Sequence, residues 1–599
     1  MHFSFSPAIR RAASPRHLPA SLVMTASLIF LTACTSVQLP PRAPGTPRPS
    51  APANTGPATI LAEPGVVVQT SPVTLPSVIP SLPVEAPPPY GPAVAARFTA
   101  PTMVYSTPGL QAGRTNFTTQ AEIHNWLQDQ ATALSRSVGV KAALLPMGSS
   151  QQGQPLEALV LTRGTGTDPA SLLATGRPTV LLIGQQHGDE PASSEALLVI
   201  ARELAQGLQQ PLLERINVVI VPRINLDGAT RGEALAAGGQ DIALDHLLLS
   251  TPETQALARL RLDYQATVVL DVGEYQVSDV YQQKFGAVQK FDALLQYSST
   301  ANLPEFLTRA DEEWYRRPLL AALKGQGLST DWYHSTSADT ADRTVSMGGP
   351  EPVSIRNVEG LKNAISVAIY SRGAGLGRLH LQRRVHTHVT AISSILGSTA
   401  QRAQDLSQLR PYLDKEVAGM ACKGQAAIEV ANTPAQYDLQ MLDPITGVDK
   451  SVTVDWESAL ALRTLKSRVR PCGYWISGSS KVAVERLRLN GVKVLAVVEP
   501  SAMLGDIYRE TKRAGIDKQE GATANGRPAP KIEVSLVRGV IDAPVGSYYI
   551  PLNQPLANLA IAALEPDTQS SFFANRLVKD LASIARVMSE PSLKSEELP

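Results

Sequence analysis

The chain has 599 residues, too many for one compact core, so two or more domains are expected. Hydrophobic residues make up 43% and charged residues 18%, the balance of a soluble globular protein. A formal net charge of +1 and an aromatic share of 5% argue against nucleic acid as a partner, because neither a basic footprint nor stacking platforms are provided.

At the N-terminus Arg10, Arg11 and Arg16 precede a short apolar stretch, Ser21 to Thr32. That stretch falls short of the roughly 20 residues that span a bilayer. Leu31-Thr32-Ala33-Cys34 then places small residues before a cysteine and resembles a bacterial lipobox. The resemblance implies a signal peptide over residues 1–33, cleavage before Cys34 and lipidation there. Thr35 after the cysteine points to the outer membrane, facing the periplasm. The plainer reading is a secretory signal with a chance cysteine. Residues 34–95 are rich in Pro, Ala, Ser, Thr and Val with almost no charge, as in Pro87-Pro88-Pro89. Such a composition buries no core and predicts an extended tether, with the folded body starting near Ala100.

Residues 96–400 read as an α/β domain. Thr118-Thr119-Gln120-Ala121-Glu122 is a helix start with a capping side chain. Short β-rich runs follow at Leu156 to Leu161, Thr179 to Ile183, Ile216 to Pro222 and Thr267 to Leu270. Helical runs at Ala192 to Gly207 and Pro252 to Leu262 lie between some of them, which argues for a mostly parallel sheet between helices.

Two strand ends carry the chemistry. Val180-Leu181-Leu182-Ile183 runs into Gly184-Gln185-Gln186-His187-Gly188-Asp189-Glu190, and a His and a carboxylate at that spacing can bind one divalent metal. About 35 residues on, Val218-Val219-Ile220-Val221 ends in Asn225-Leu226-Asp227-Gly228, with Arg231 within one turn. Over about residues 115 to 390, these motifs and their order resemble the zinc carboxypeptidases, the carboxypeptidase A-like enzymes. The resemblance implies an eight-stranded mixed sheet with the site at strand C-terminal ends, in keeping with open α/β sheets generally. It makes zinc the cofactor and His187 and Glu190 two of its three protein ligands. Asn225, Arg231 and Arg372 would bind substrate, with Arg231 positioning an oxyanion or carboxylate; the plainer readings are a solvated surface residue for Arg231 and a structural ion pair for Arg372. Deacylases of small N-acyl amino acids share the His-Gly-x-Glu loop, but the Asn225-x-Asp227-Gly228 turn and the long C-terminal extension argue against them.

Four positions depart from the family pattern. The third ligand, a His in Asp-x-His-Glu, falls at Gly273 of Asp271-Val272-Gly273-Glu274. The Asn-Arg pair that grips a terminal carboxylate falls at Ala243 and Leu244, which cannot form a bidentate clamp. The general-base Glu falls at Tyr370 of Ile369-Tyr370-Ser371-Arg372-Gly373, and a phenol with a pKa of about 10 is a poor base near neutrality. His246, on the loop that should border the site, is a substitute ligand or else a surface histidine. His386-Thr387-His388 alternates as on a strand or extended loop, where a second metal site is a further candidate.

Residues 401–599 read as a mixed α+β accessory domain, with β-like runs at Ala426–Val430, Val452–Val454 and Lys493–Val498 and no cluster bearing chemistry. Cys422 and Cys472 lie here, either bridged in an oxidising periplasm or buried as free thiols. Three functions stay open: an envelope metallocarboxypeptidase acting on peptide or cell-wall-peptide C-termini, an inactive pseudo-peptidase that binds peptides, and a structural lipoprotein with an empty cleft.

Overall fold

The computed structural model describes residues 88–136, 139–513 and 530–598, all within one structural unit, Leu82–Pro599. The signal-peptide and lipidation readings, Cys34 included, lie outside the described residues. Among those residues no helix is long and apolar enough to cross a membrane.

The main sheet has eight strands: β1 (Lys141–Ser149), β2 (Pro155–Thr162), β3 (Thr179–Gly184), β4 (Asn217–Val221), β5 (Val268–Gln276), β6 (Ala293–Tyr297), β7 (Thr330–Trp332) and β8 (Ile365–Ala374). Their spatial order is β1-β2-β4-β3-β5-β8-β6-β7. The centre is parallel, β4 to β3 to β5 to β8. The flanks bring in antiparallel ladders, β1 with β2, β2 with β4, and β8 with β6. This is the α/β class and the mixed eight-stranded sheet expected.

Burial on both faces explains the composition of the central strands. Every residue of Thr179–Gly184 is buried, so the strand reads as a continuous apolar run. Val180 and Leu182 join a core with Leu127, Leu197 and Ile392, from the helices Gln120–Ser135, Pro191–Gln206 and Leu381–Gln401. Leu181 and Ile183 face the other way, toward Leu257 and Leu260 of the helix Pro252–Tyr264. The first of these helices starts as predicted, with Thr119 and Glu122 forming a reciprocal capping box that satisfies two otherwise unpaired donors.

Two expectations are corrected. The folded body begins before Ala100, for Tyr90, Val94 and Phe98 are buried against Tyr275, Leu294 and Leu442. The Gly91 amide also donates to the Pro444 carbonyl at 2.7 Å. Three well-spaced apolar side chains suffice to dock a segment whose composition otherwise reads as tether. Second, the short β-like runs at 426–430 and 452–454 are parts of two long strands, β9 (Gln425–Leu442) and β10 (Asp449–Val469). Each exposes much of its length, so only its buried stretches carry an apolar signal.

These two strands pair with each other and with Val288–Gln289 and Thr344–Ser346. A sheet therefore runs between the 96–400 and 401–599 regions. The remaining sheet has seven strands drawn from residues 473–597. Cys422 and Cys472 form a disulfide.

Candidate functional site

The loop after β3 and the turn after β4 interlock. Gln185, at φ 51°, turns the chain out of the strand, and its side-chain amide donates to the Gly188 carbonyl at 2.7 Å. Asn225 accepts from the Gly228 amide and donates to the carbonyls of Gln186 and Ala234. A Cβ on Gly188 would lie 2.2 Å from the Ala229 nitrogen, so glycine is required where the two turns meet. Asp227 pins both to the loop after β1, accepting from Ser150 Oγ and the Gln152 amide. The sequence motifs are the two halves of one backbone lock.

That lock presents His187 and Glu190 to a cleft of about 970 Å3 at the strand C-terminal ends. His187 Nδ1 lies 2.8 Å from Glu190 Oε1, and its Nε2 lies 3.1 Å from Asp241 Oδ1. Burial pushes the imidazole down, but the Glu190 and Asp241 carboxylates outweigh it and hold the ring well above the usual histidine range. A carboxylate on the far nitrogen is the second-sphere partner that orients a metal-ligating histidine. No sequence motif marks Asp241 as a partner of His187, although it stands two residues before Ala243.

The third-ligand position is filled rather than vacant. Gly273 on β5 lies opposite Tyr370 on β8. A Cβ there would be 2.7 Å from Glu190 Oε2 and 3.0 Å from two Tyr370 ring carbons. The Tyr370 hydroxyl donates to Asp271 Oδ2 at 2.6 Å, and Asp271 Oδ1 accepts from the Gln186 amide at 2.6 Å. Tyr333 closes over the Tyr370 ring, with centroids 4.8 Å apart. Burial, together with the Asp271 charge, pushes the Tyr370 phenol well above its ordinary value, so it cannot accept a proton from water near neutrality. Glu274, next along β5, is fully buried in a two-pronged pair with Arg384 at 2.6 and 2.7 Å.

Several residues read as site groups serve elsewhere. Asn225 spends its side chain on the turn. Arg231 pairs with Glu233 at 2.7 Å and does not line the cleft. Arg372 is buried outside the cleft, donating to the Gln289 carbonyl and the Tyr90 hydroxyl, with its guanidinium 4.0 Å from the Phe98 ring centroid. His246 is neither a ligand nor a surface residue. It is buried with Nε2 2.6 Å from Gln186 Oε1, and burial holds its pKa to about 3. His386 and His388 lie within the helix Leu381–Gln401, where residues two apart diverge. His386 meets the Tyr105 hydroxyl, and His388 is fully buried.

The donor set is therefore His187 and Glu190. Among the described residues no group of three or more His, Cys, Asp or Glu side chains is placed to hold a metal ion. A catalytic zinc takes three protein ligands and keeps one open position. These residues do not fit that centre, and the wall where the third ligand would stand is a tyrosine ring.

The zinc carboxypeptidase profile matches residues 123–240, which include both strand-end motifs. Carboxypeptidase 2 of Trichophyton equinum is 24% identical over 400 residues, covering 66% of this chain and 72% of that protein. Carboxypeptidase D of Mus musculus is 40% identical over 104 residues, covering 15% and 8%. The crystal structure of a metallo-carboxypeptidase from Burkholderia cenocepacia aligns with a TM-score of 0.36 at 14% identity, over 48% of this chain and 70% of that one. These comparisons support a relationship to the zinc carboxypeptidases, carried by the match over residues 123–240 and by the fungal carboxypeptidase likeness.

Proposed function

We propose that this protein is a non-hydrolytic member of the family, a pseudo-peptidase that binds peptides or cell-wall peptides in the retained cleft. The observation that carries the reading is the packing at Gly273, where the Tyr370 ring and the Glu190 carboxylate occupy the space a third ligand needs. The missing base and the missing carboxylate clamp at Ala243 and Leu244 support it independently. Three losses fall together on metal, base and anchor, while the backbone lock that shapes the cleft is intact. The lipobox-like Cys34 and the proline-rich segment after it support an anchored protein of the bacterial envelope, held at the outer membrane and facing the periplasm.

The test combines zinc analysis with peptide binding on the detergent-solubilised full chain. Elemental analysis after gel filtration is expected to find well under one zinc per chain, unchanged in His187→Ala. Isothermal titration with N-acetylated dipeptides and tripeptides is expected to show binding, and chromatography of the same mixtures no cleavage. One zinc per chain, lost in His187→Ala and accompanied by C-terminal trimming, would return the protein to the active peptidases.

A further inference from the structure

The cleft is strongly acidic. Asp189, Asp241, Asp279 and Glu351 line it beside Glu190 and Asp271, and Arg356 is the only arginine or lysine among its lining residues. Arg356 is 5% exposed. Its hydrogen-bond partners among the described residues are the Tyr297 carbonyl and Asn357 Oδ1, both on Nη1, at 3.2 and 3.5 Å. Neither is a carboxylate, and no protein acceptor is seen on Nε or Nη2. A buried guanidinium without a direct ion pair is costly: Glu351 and Asp271 feel the Arg356 charge but neither is in ion-pair contact with it, whereas Arg384 pairs directly with Glu274 and Arg261 with Glu359.

The backbone makes room for this charge. A Cβ on Gly348 would lie 2.6 Å from Arg356 Nη2 and 3.3 Å from a Tyr333 ring carbon, and Gly348 sits at φ +85°, a conformation that glycine adopts without strain. The guanidinium and the Tyr333 ring thus converge on one spot. Burial pushes Asp271 and the Tyr333 and Tyr370 hydroxyls up, and the Arg356 charge partly offsets this at all three. Arg356 therefore acts on the same end of the cleft as the Tyr370 wall.

We propose that Arg356 is the specificity-determining anchor of the cleft, taking a carboxylate of the bound peptide's C-terminal residue. It would replace in function the clamp absent at Ala243 and Leu244, from a different element, the helix Ile355–Leu361. The surrounding carboxylates narrow the ligand's chemistry. One carboxylate on an otherwise neutral or cationic peptide is accommodated, and a dianion such as phosphate is repelled. The inference rests on the peptide-binding reading above.

Isothermal titration of the full chain with three probes tests it: N-acetyl-Ala-Ala, N-acetyl-Ala-Ala-amide and N-acetyl-Ala-Glu-amide. A charge-assisted contact predicts at least about tenfold tighter binding for a probe carrying the recognised carboxylate. Preference for the free acid alone assigns the α-carboxylate, and preference for the Glu-amide over the Ala-amide assigns a side-chain carboxylate. In Arg356→Met the preference should vanish, and Arg356→Lys should recover part of it. Equal affinity for all three probes in the unaltered protein overturns the anchor and leaves the peptide-binding reading standing. A preference that survives in Arg356→Met also overturns it. Failure of every probe to bind overturns both. The comparison in the unaltered protein decides the matter even where a variant does not fold.

Discussion

At Gly273 a missing side chain matters less than what has taken its place. Glu190 Oε2 is fixed there by the Glu274 amide at 2.9 Å, and the Tyr370 ring is held by Asp271 and Tyr333. Neither can withdraw cheaply from an added Cβ. Gly273→Ala is therefore expected to destabilise the protein by about 1–3 kcal/mol, the usual cost of overpacking a filled interior. Denaturant unfolding of the variant checks this, and unchanged stability would mean that the position is open and a ligand could return to it. The same residue-scale reasoning accounts for the misplaced arginines. Arg231 and Arg372 follow strand-end motifs closely in sequence, but a neighbouring carboxylate claims one and two aromatic rings enclose the other. Glu233 lies two residues from Arg231, but nothing in the sequence around Arg372 names its partners, because Tyr90 and Phe98 come from hundreds of residues away.

Between elements, buried ionisable groups set how the fold responds to acid. Glu359, on the helix Ile355–Leu361, meets Arg261 of the helix Pro252–Tyr264 at 2.6 Å and Lys362 at 2.9 Å. Burial alone would raise its carboxyl, but the two cations outweigh that and hold it to about 2, below the ordinary 4.5. Its contribution is present above about pH 4.5 and lost as pH falls from there toward 2. His246, held to about 3 against an ordinary 6.5, and His334, held to about 4, are depressed by burial and fold as neutral rings. The unfolded chain takes up their protons first, so their contribution is present above about pH 6.5 and is lost below it. Buried carboxyls held up by burial, Glu190 and Asp311 among them, shift stability the other way, so the readout is a difference between proteins: relative to His246→Gln the unaltered protein is expected to lose melting temperature as pH falls from 6.5 to 4.5, and relative to Glu359→Gln to lose it below 4.5. A difference from His246→Gln that stays constant between pH 6.5 and 4.5 would contradict the neutral burial of the histidine.

For the whole molecule, the C-terminal region is part of the construction of the first. Val288–Gln289 pairs with residues 425–442, and Thr344–Ser346, besides the short strand Ser335–Thr336, pairs with residues 449–469. Leu247, Val358 and Leu361 share one core with Tyr474, Ile550 and Leu559. Gln569, Ser570 and Asn575 reach the rim of the cleft. A chain ending at Arg402 would expose that core, leave Val288–Gln289 without its partner and reduce Thr344–Ser346 to a two-stranded ribbon with Ser335–Thr336. It is expected to be insoluble or to melt without cooperativity, as circular dichroism and limited proteolysis would show. A cooperatively melting 82–402 fragment would contradict this.

The α/β class, the loop bearing His187 and Glu190, and the residue types at Gly273, Ala243, Leu244 and Tyr370 on which the proposed loss of hydrolysis rests were all legible along the chain. They are local facts of apolar runs, turn residues and spacing, and a residue type limits its own chemistry wherever it sits. Asp241 as the partner of His187, the Gln186–Asp271–Tyr370 network, the filling of the space at Gly273 and the guanidinium of Arg356 in the cleft were not. Each depends on which side chains distant strands and helices bring within 3 or 4 Å, and only the packed sheet with its C-terminal cover makes that choice.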